Sequence, residues 1–172
     1  LTVKAPKGWK VFSNAPTPTP EEEGEAWVYR FATTEVMSTY ITAIVAGPYE
    51  GTTATLTSSD GRTIDLGVYA RASIIEHLDA DEIIEITRQG FEFFEGAYGI
   101  AYPFTKYDQI FVPEYNAGAM ENAGCVTFRD AYVFRTRPTE AQMEARANTI
   151  LHELAHMWFG DLVTMKWWND LW

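Results

Sequence analysis

The sequence predicts an α+β protein, because a β-rich first part is followed by a part in which helices and strands are mixed. Over residues 1–66, short β-branched and aromatic runs are separated by turn signals, which is typical of an all-β region. After residue 66, apolar residues recur at intervals of three and four, the spacing of amphipathic helices. We therefore expect two domains, 1-66 and 67-172, with a boundary at about residue 66.

Runs of β-branched and aromatic residues predict the strands of the first part. The run at 38–47 is apolar on both faces at its end, so we expect that end to be buried. Residues 52–65 are typical of a hairpin that turns at Ser59-Asp60-Gly61. The Pro-rich stretch 15–24 predicts a loop, in which the acidic run Glu21-Glu22-Glu23 is solvated and binds no metal. The remaining strands are expected at residues 1–6, 9–12 and 27–31.

Residues 67–71 are a candidate for one more strand, and a predicted helix follows them. Asp79 provides an N-cap, and the helix is expected to end between Gly96 and Gly99. His77, just before this helix, is expected to be a turn or packing residue and not a ligand. Strands are expected at residues 107–113 and 125–134, on either side of a Gly-rich turn.

The composition excludes several classes of partner. The formal charge of −11 argues against nucleic acid and against an anionic membrane surface, and it suits cationic ligands such as free amino termini. No apolar run approaches the length of a transmembrane helix. Cys125 is the only cysteine, so an intrachain disulfide is ruled out and we expect a cytoplasmic location.

The strongest motif is His152-Glu153-Leu154-Ala155-His156, which has the H-E-x-x-H pattern. In this pattern two imidazoles one helical turn apart bind zinc, and the intervening Glu acts as a base. At about 100° per residue, with His152 at 0°, His156 falls near 40° and Glu153 near 100°. The apolar residues of the same helix fall between about 160° and 260°; they are Met143, Ala147, Ile150, Leu151, Leu154 and Trp158.

The imidazoles therefore face away from the predicted core, as metal ligands would. Two solvated surface histidines are the alternative that the spacing leaves open. Thr139-Glu140-Ala141-Gln142 is a capping-box sequence, so the helix is expected to begin at 139 or 140. Gly160 is the expected stop, since glycine adopts the left-handed conformation after a last turn.

A second motif, Gly118-Ala119-Met120-Glu121-Asn122, lies between the two predicted strands. By itself it is typical of a hairpin turn that carries one carboxylate. Followed by H-E-x-x-H, it closely resembles the aminopeptidase N family of zinc metallopeptidases. The stretches 158–165 and 167–172 are similar to the same family after its zinc helix, and residues 37–40 and 45–47 are similar to its last strands before the catalytic domain.

The resemblance implies a fold and a set of roles. The chain would comprise the end of an all-β N-terminal domain and the N-terminal part of a thermolysin-like catalytic domain. His152 and His156 would be zinc ligands, and Glu153 would be the general base that deprotonates a metal-activated water. Glu121 would bind the α-ammonium of a peptide substrate. The backbone of Gly118 and Ala119 would pair with that peptide, and Met120 would line the pocket for its first side chain.

The family's third zinc ligand, a Glu, would lie beyond Trp172. We therefore expect a fragment of a longer protein, which begins without an initiator Met and binds one zinc ion weakly if at all by itself. The parent protein would be a hydrolase, a zinc metalloaminopeptidase that performs proteolysis from the amino terminus. Whether the fragment alone is active is left open, as are its preferred first residue, its oligomeric state and its self-association through surfaces exposed by truncation.

Two other readings of the motifs are retained. A zinc endopeptidase of the thermolysin type would share H-E-x-x-H, but it has no ammonium for Glu121 to bind. A non-catalytic fragment without bound metal is the second alternative. A relative in the same family that opens an epoxide carries Gly at the position of Ala119, which disfavours that activity here.

Overall fold

The computed structural model describes residues 1–170, which form three β-sheets and two long α-helices. The α+β class predicted from the sequence is confirmed. Leu171 and Trp172, which belong to the resemblance after the zinc helix, lie outside the described residues. The strands are β1 Thr2–Pro6, β2 Lys10–Ser13, β3 Glu21–Glu23, β4 Ala26–Arg30, β5 Ile44–Gly47, β6 Tyr49–Thr57, β7 Thr63–Arg71, β8 Lys106–Val112, β9 Ala119–Met120 and β10 Cys125–Arg129. The helices are α1 Ala80–Tyr98 and α2 Glu140–His156.

The acidic run Glu21–Glu23 is a strand, so the prediction of a loop across all of residues 15–24 was wrong. β3 pairs antiparallel with β4, to which it is joined by a turn at Gly24 with a φ of 59°. All three carboxylates are solvent-exposed, as expected, and each forms an ion pair with a basic side chain. The pairs are Lys4–Glu23 at 2.5 Å, Lys7–Glu22 at 3.0 Å and Arg30–Glu21 at 3.2 Å.

The strand expected at 38–47 is only partly formed, and its end is buried on one face and not on both. A 3₁₀ turn, Thr39–Ile41, precedes β5, and Ile44 is 55% exposed. The reason is that a side chain replaces the sheet partner: the Asn14 amide donates to the carbonyl of Ile41 at 2.8 Å and accepts from the amide of Ala43 at 3.1 Å. Backbone groups satisfied in this way do not need a strand neighbour.

The largest sheet has five strands in the order β6-β7-β8-β10-β9. β7, β8 and β10 are parallel to one another, whereas β6 and β9 are antiparallel edge strands. The hairpin at Ser59-Asp60-Gly61 is confirmed as the β6–β7 connection. The boundary expected at residue 66 lies in the middle of β7, where the strand continues without a break. The division into two domains stays a prediction, and the strand pairing favours placing it before β6.

The main core lies between this sheet and the two helices. β8 is buried along its whole length. Its Tyr107 and Phe111 pack under the helices, while Ile110 and Val112 pack on the opposite face with Phe12 of β2. Side chains that alternate between two covered faces are the pattern of a central strand. β8 therefore positions the sheet between α1 and α2 on one side and the β2–β5 ribbon on the other.

The end of α1 and the beginning of α2 form as predicted. Asp79 is the residue before α1, as expected, but its side chain forms no capping hydrogen bond. α1 ends at Tyr98 and is capped by Gly99 with a φ of 66°, and α2 begins after a complete capping box between Thr139 and Gln142. α2 ends at His156, however, three residues before the expected end, and Met143 at its start is 36% exposed. Among residues 1–170, no helix is both long enough and apolar enough to cross a lipid bilayer.

Candidate active site

α2 brings the two imidazoles of the H-E-x-x-H motif together. The rings of His152 and His156 are 4.7 Å apart between centroids and nearly perpendicular, at 81°. Their Nε2 atoms lie 3.1 Å apart. Two nitrogens one helical turn apart, converging on one point, are the arrangement that a shared cation requires. The structure therefore places both sequence-predicted ligands on one side of one helix, at one site.

The turn after α2 orients the imidazole of His156. Its Nδ1 lies 2.8 Å from the carbonyl oxygen of Phe159. A carbonyl only accepts hydrogen bonds, so Nδ1–H is the donor and the lone pair of a neutral ring lies on Nε2. Burial, followed by the nearby His156, lowers the pKa of His152. The lowered pKa favours the neutral imidazole of His152, which is the form that binds a metal.

Glu153 lies beside this pair but inside the protein. Its residue is 5% exposed, and its Oε2 has no hydrogen-bond partner among the described residues. Burial first, and then the charge of Glu121, raises the pKa of Glu153 to about 8. An unpaired buried carboxylate oxygen is costly, so it marks a place where a ligand, a water or a proton is expected.

Glu121 reaches the same site from the edge of the sheet. It directly follows β9, whose Ala119 and Met120 pair with Phe128 and Thr127 of β10. The carbonyl of Gly118 accepts from the amide of Arg129 at 3.0 Å. One carboxylate oxygen of Glu121, one of Glu153 and one ring nitrogen of His156 lie within 4.8 Å of one another. The two motifs, well separated in sequence, therefore meet at one place.

The site opens into a cleft of about 380 Å³. Glu121, His152 and His156 line this cleft, whereas Gly118, Ala119 and Met120 lie on the adjoining strand and are not among its lining residues. His77 lies in the 3₁₀ turn before α1 and is not among the residues that line this cleft. The other lining residues are Tyr40, Phe159, Gly160, Val163, Thr164, Met165 and Asp170.

The surroundings of the imidazoles are acidic. Asp161 is 7% exposed, and neither of its carboxylate oxygens has a partner among the described residues. Burial, then Glu121 and Glu153, raises the pKa of Asp161 to about 8. Burial, then Glu121 and Asp161, likewise raises the pKa of Tyr40 to about 12. A concave site lined by carboxylates attracts cations, including metal ions and ammonium groups.

Two residues of this neighbourhood, Tyr40 and Asp161, were not predicted from the sequence. The signal for Asp161 is a carboxylate within the otherwise apolar and aromatic stretch 158–163. Tyr40 carries no such signal, because it lies far from α2 in sequence and its role depends on the fold. In the sequence, residues 37–40 are marked only by their resemblance to the family.

The donor set fits a zinc ion. Two imidazole nitrogens with an adjacent carboxylate are typical zinc ligands, and Glu153 leaves a buried oxygen without a partner at the same place. A third protein ligand is not identified among the described residues. A helical imidazole pair and a buried carboxylate in an acidic cleft are an arrangement typical of metallohydrolase sites.

Comparison with known proteins identifies the family. Residues 82–172, more than half of the chain, match the Peptidase family M1 domain. The chain belongs to peptidase family M1, which confirms the resemblance found in the motifs.

Named relatives cover the whole chain. It is 60% identical over 172 residues to aminopeptidase N of Streptomyces lividans, covering 100% of this chain and 20% of that protein. It is 40% identical over 173 residues to the tricorn protease-interacting factor F2 of Thermoplasma acidophilum, covering 100% of this chain and 21% of that protein. It is 38% identical over 180 residues to human aminopeptidase N, covering 100% of this chain and 18% of that protein. The chain thus spans about a fifth of the length of the curated relatives it matches.

Proposed function

We propose that the protein containing this chain is a zinc-dependent aminopeptidase that releases amino-terminal residues from peptides. The observation that carries the proposal is the meeting of Glu121, Glu153 and His156 within 4.8 Å, beside the second imidazole. Family membership and the names of the relatives support it. A metal-binding pair alone suits many hydrolases, but an additional carboxylate at its edge suits a substrate with a positive end.

In this proposal His152 and His156 hold one zinc ion, and the third protein ligand lies beyond residue 172. Bound there, zinc would supply Lewis acidity, which acidifies a water molecule and polarises the scissile carbonyl. Glu153 takes the proton from the attacking water on a carboxylate oxygen and delivers it to the leaving amine. Its burial holds the carboxylate beside His156 and keeps bulk water from competing for that proton.

Glu121 recognises the substrate's α-ammonium through a charge-assisted hydrogen bond. β9 is an edge strand, so its outer backbone edge can pair with an extended peptide. Gly118 and Ala119 would provide that pairing, and Met120 would contact the first side chain. Because Glu121 lies within a few ångströms of the base Glu153, there is room for only one residue between the substrate's ammonium and the bond that is cleaved. This distance explains an exopeptidase better than the endopeptidase alternative.

The finer description of the fold is part of the same proposal. Strands β6 to β10 with α1 and α2 would be the beginning of a thermolysin-like catalytic domain, and β1 to β5 the end of an all-β N-terminal domain. The partners would be peptides with a free amino terminus and not nucleic acid or membranes, in keeping with the charge of −11. We also propose a cytoplasmic location, from the single unpaired Cys125, which cell fractionation would test.

The test uses the parent protein and a pair of substrates that differ only at the amine. An amino-acid anilide should be cleaved, and its N-acetylated form should not. Treatment with a chelator should abolish cleavage, and added zinc should restore it. Cleavage of the acetylated anilide or of internal peptide bonds at a comparable rate would contradict the proposal in favour of an endopeptidase.

A further inference from the structure

We propose that Tyr40 is a positioning residue for His156, acting through the turn that follows α2. The inference rests on the proposed function, in which His156 is a zinc ligand. Tyr40 lies in the 3₁₀ turn Thr39–Ile41, a hundred residues before the start of α2 in sequence, yet it lines the cleft with His152 and His156. It would hold the imidazole of His156 without contacting the substrate or the metal.

A chain of two hydrogen bonds joins the phenol to the imidazole. The hydroxyl of Tyr40 donates to the carbonyl of Gly160 at 3.1 Å. The carbonyl of the preceding residue, Phe159, accepts from Nδ1 of His156 at 2.8 Å. The two carbonyls belong to consecutive peptide planes that meet at the Cα of Gly160. The hydrogen bonds of the turn hold the φ and ψ of Gly160 between these planes, so fixing one plane restricts the other, and the phenol limits the directions that the imidazole can take.

Gly160 cannot provide this rigidity itself. Its φ is 126°, in the region that side chains rarely adopt, and a Cβ there would lie 3.2 Å from Nδ1 of His156 and 3.4 Å from Oη of Tyr40. The turn therefore needs glycine for its backbone conformation, and also for the close approach of the His156 imidazole. Because glycine is the most flexible residue, a turn built on it depends on outside contacts to stay in one conformation.

A second contact ties the same segment to the same turn. The hydroxyls of Ser38 and Thr164 lie 3.1 Å apart, two residues before Tyr40 and four after Gly160. Within the turn, the amide of Gly160 donates to the carbonyl of Val163 at 2.8 Å, and the amide of Asp161 to that of His156 at 3.1 Å. Ser38 and Tyr40 thus form two hydrogen bonds between the β-rich part and the turn that lines the cleft.

The test measures zinc affinity and not only activity. Tyr40→Phe in the parent protein removes the hydroxyl and keeps the ring. Groups that orient a metal-bound imidazole are worth about 10–100-fold in metal affinity. Tyr40 does not bond the imidazole directly but acts through the turn, and it contributes one neutral hydrogen bond. We therefore expect zinc to bind about three- to tenfold more weakly in competition with a chelator. Ser38→Ala should produce a smaller loss in the same direction.

Tyr29→Phe is the matched control, because the hydroxyl of Tyr29 also donates to a backbone carbonyl, that of Trp9 at 2.6 Å, away from the cleft. It should leave zinc affinity unchanged. The melting temperature of zinc-free Tyr40→Phe should stay within the change seen for Tyr29→Phe. At saturating zinc, a positioning role lowers kcat more than it raises KM, whereas a direct contact with substrate would raise KM.

The outcomes separate this inference from the proposed function. Unchanged zinc affinity in both Tyr40→Phe and Ser38→Ala would overturn the positioning role while leaving the aminopeptidase proposal intact. An equal loss in Tyr29→Phe, or a loss explained by a lower zinc-free melting temperature, would also overturn it. A parent protein that binds no zinc and cleaves no anilide would defeat the proposed function, and the positioning role with it.

Discussion

A carboxylate oxygen of Glu121 lies within 4.8 Å of one of Glu153, although one residue follows an edge strand and the other is buried in a helix. Two carboxylates this close repel each other unless a proton or a cation lies between or beside them. The imidazole nitrogen of His156 is within the same distance of both. The structure thus brings together groups whose mutual repulsion a positively charged ligand would relieve.

The first prediction concerns Glu121. In the parent protein, Glu121→Gln keeps the shape of the side chain but removes the charge that would pair with the α-ammonium. A charge-assisted hydrogen bond of this kind contributes about 1.5–3 kcal/mol. We expect kcat/KM for amino-acid anilides to fall about ten- to a hundredfold while zinc content stays unchanged. Equal kinetics in the variant and the parent would show that Glu121 does not recognise the amine.

The second prediction separates the base from the ligands. Glu153→Gln in the parent protein should retain zinc while kcat falls by about 10²–10⁴, the usual contribution of a positioned base. His152→Ala and His156→Ala should lose zinc and activity together. Metal analysis of purified proteins together with anilide kinetics provides both readouts. Zinc-free Glu153→Gln protein would mean that Glu153 is a ligand and that the mechanism proposed here is wrong.

The third prediction concerns Arg146, which joins the two helices from inside the protein. Its side chain is 1% exposed and donates to Asp79 at 2.9 Å and to Glu82 at 2.8 Å at the start of α1. Arg146→Ala leaves both carboxylates without their partner. Asp79 is 47% and Glu82 36% exposed, so water can solvate them, and the lost hydrogen bonds to charged groups cost about 1.5–3 kcal/mol. We expect a loss of this size in the free energy of unfolding, measured by urea denaturation of the 172-residue chain.

Arg88 offers the matched control on α1. It pairs with Glu85 at 2.6 Å, but its side chain is 51% exposed. Arg88→Ala should therefore cost no more than about 1 kcal/mol. Similar losses for the two variants would contradict the structural role assigned to Arg146.

Local signals in the sequence predicted the parts of the fold that depend on neighbouring residues. The capping box at Thr139, the αL cap at Gly99 and the hairpin turn at Gly61 each involve residues a few positions apart. The H-E-x-x-H spacing likewise places His152 and His156 one helical turn apart. These features follow from backbone geometry and need no knowledge of the rest of the chain.

Features that depend on distant pairing were missed. β7 reads as two strand segments in the sequence, and only its pairing with β6 and β8 shows it to be one strand across residue 66. An arginine is expected at the surface, but Arg146 is buried because the start of α1 supplies two carboxylates that pair with it. Tyr40 reaches Gly160 across the protein in the same way. Periodicity along one segment contains no information about such contacts.

The fourth prediction compares Gly96 inside α1 with Gly99, which caps it; both have open space around them. Gly96 lies within the helix, and a Cβ there would meet nothing within 4 Å. Gly96→Ala should raise the free energy of unfolding by about 0.5–1 kcal/mol, because alanine loses less backbone entropy in a helix. Gly99 also has open space, but its φ is 66°. Gly99→Ala should lower stability by about 1–2 kcal/mol. Urea denaturation that gives the same sign for both variants would contradict the assigned cap.

The last prediction concerns the thiol of Cys125, the only cysteine of the 172-residue sequence. It lies at the start of β10 with 0% exposure, packed with Phe12, Ile110 and Val112. Burial raises the pKa of Cys125 from 9.0 to about 11, an effect that the charge of Lys106 partly opposes. Only the thiolate is nucleophilic, so the folded chain at pH 8 should carry about a hundredfold less reactive thiolate than the unfolded chain.

Iodoacetamide labelling of the 172-residue chain at pH 8 should therefore be at least about a hundredfold slower in buffer than in concentrated urea. The raised pKa also affects stability: because the folded state favours the neutral thiol, folding is stabilised at a pH where the unfolded chain would begin to form thiolate. This contribution is fully present below pH 9 and is lost as the pH rises from 9 towards 11. Cys125→Ala removes the titrating group and should make the stability of the chain less dependent on pH in that interval. Labelling in buffer as fast as in urea would show that β10 does not bury its first residue.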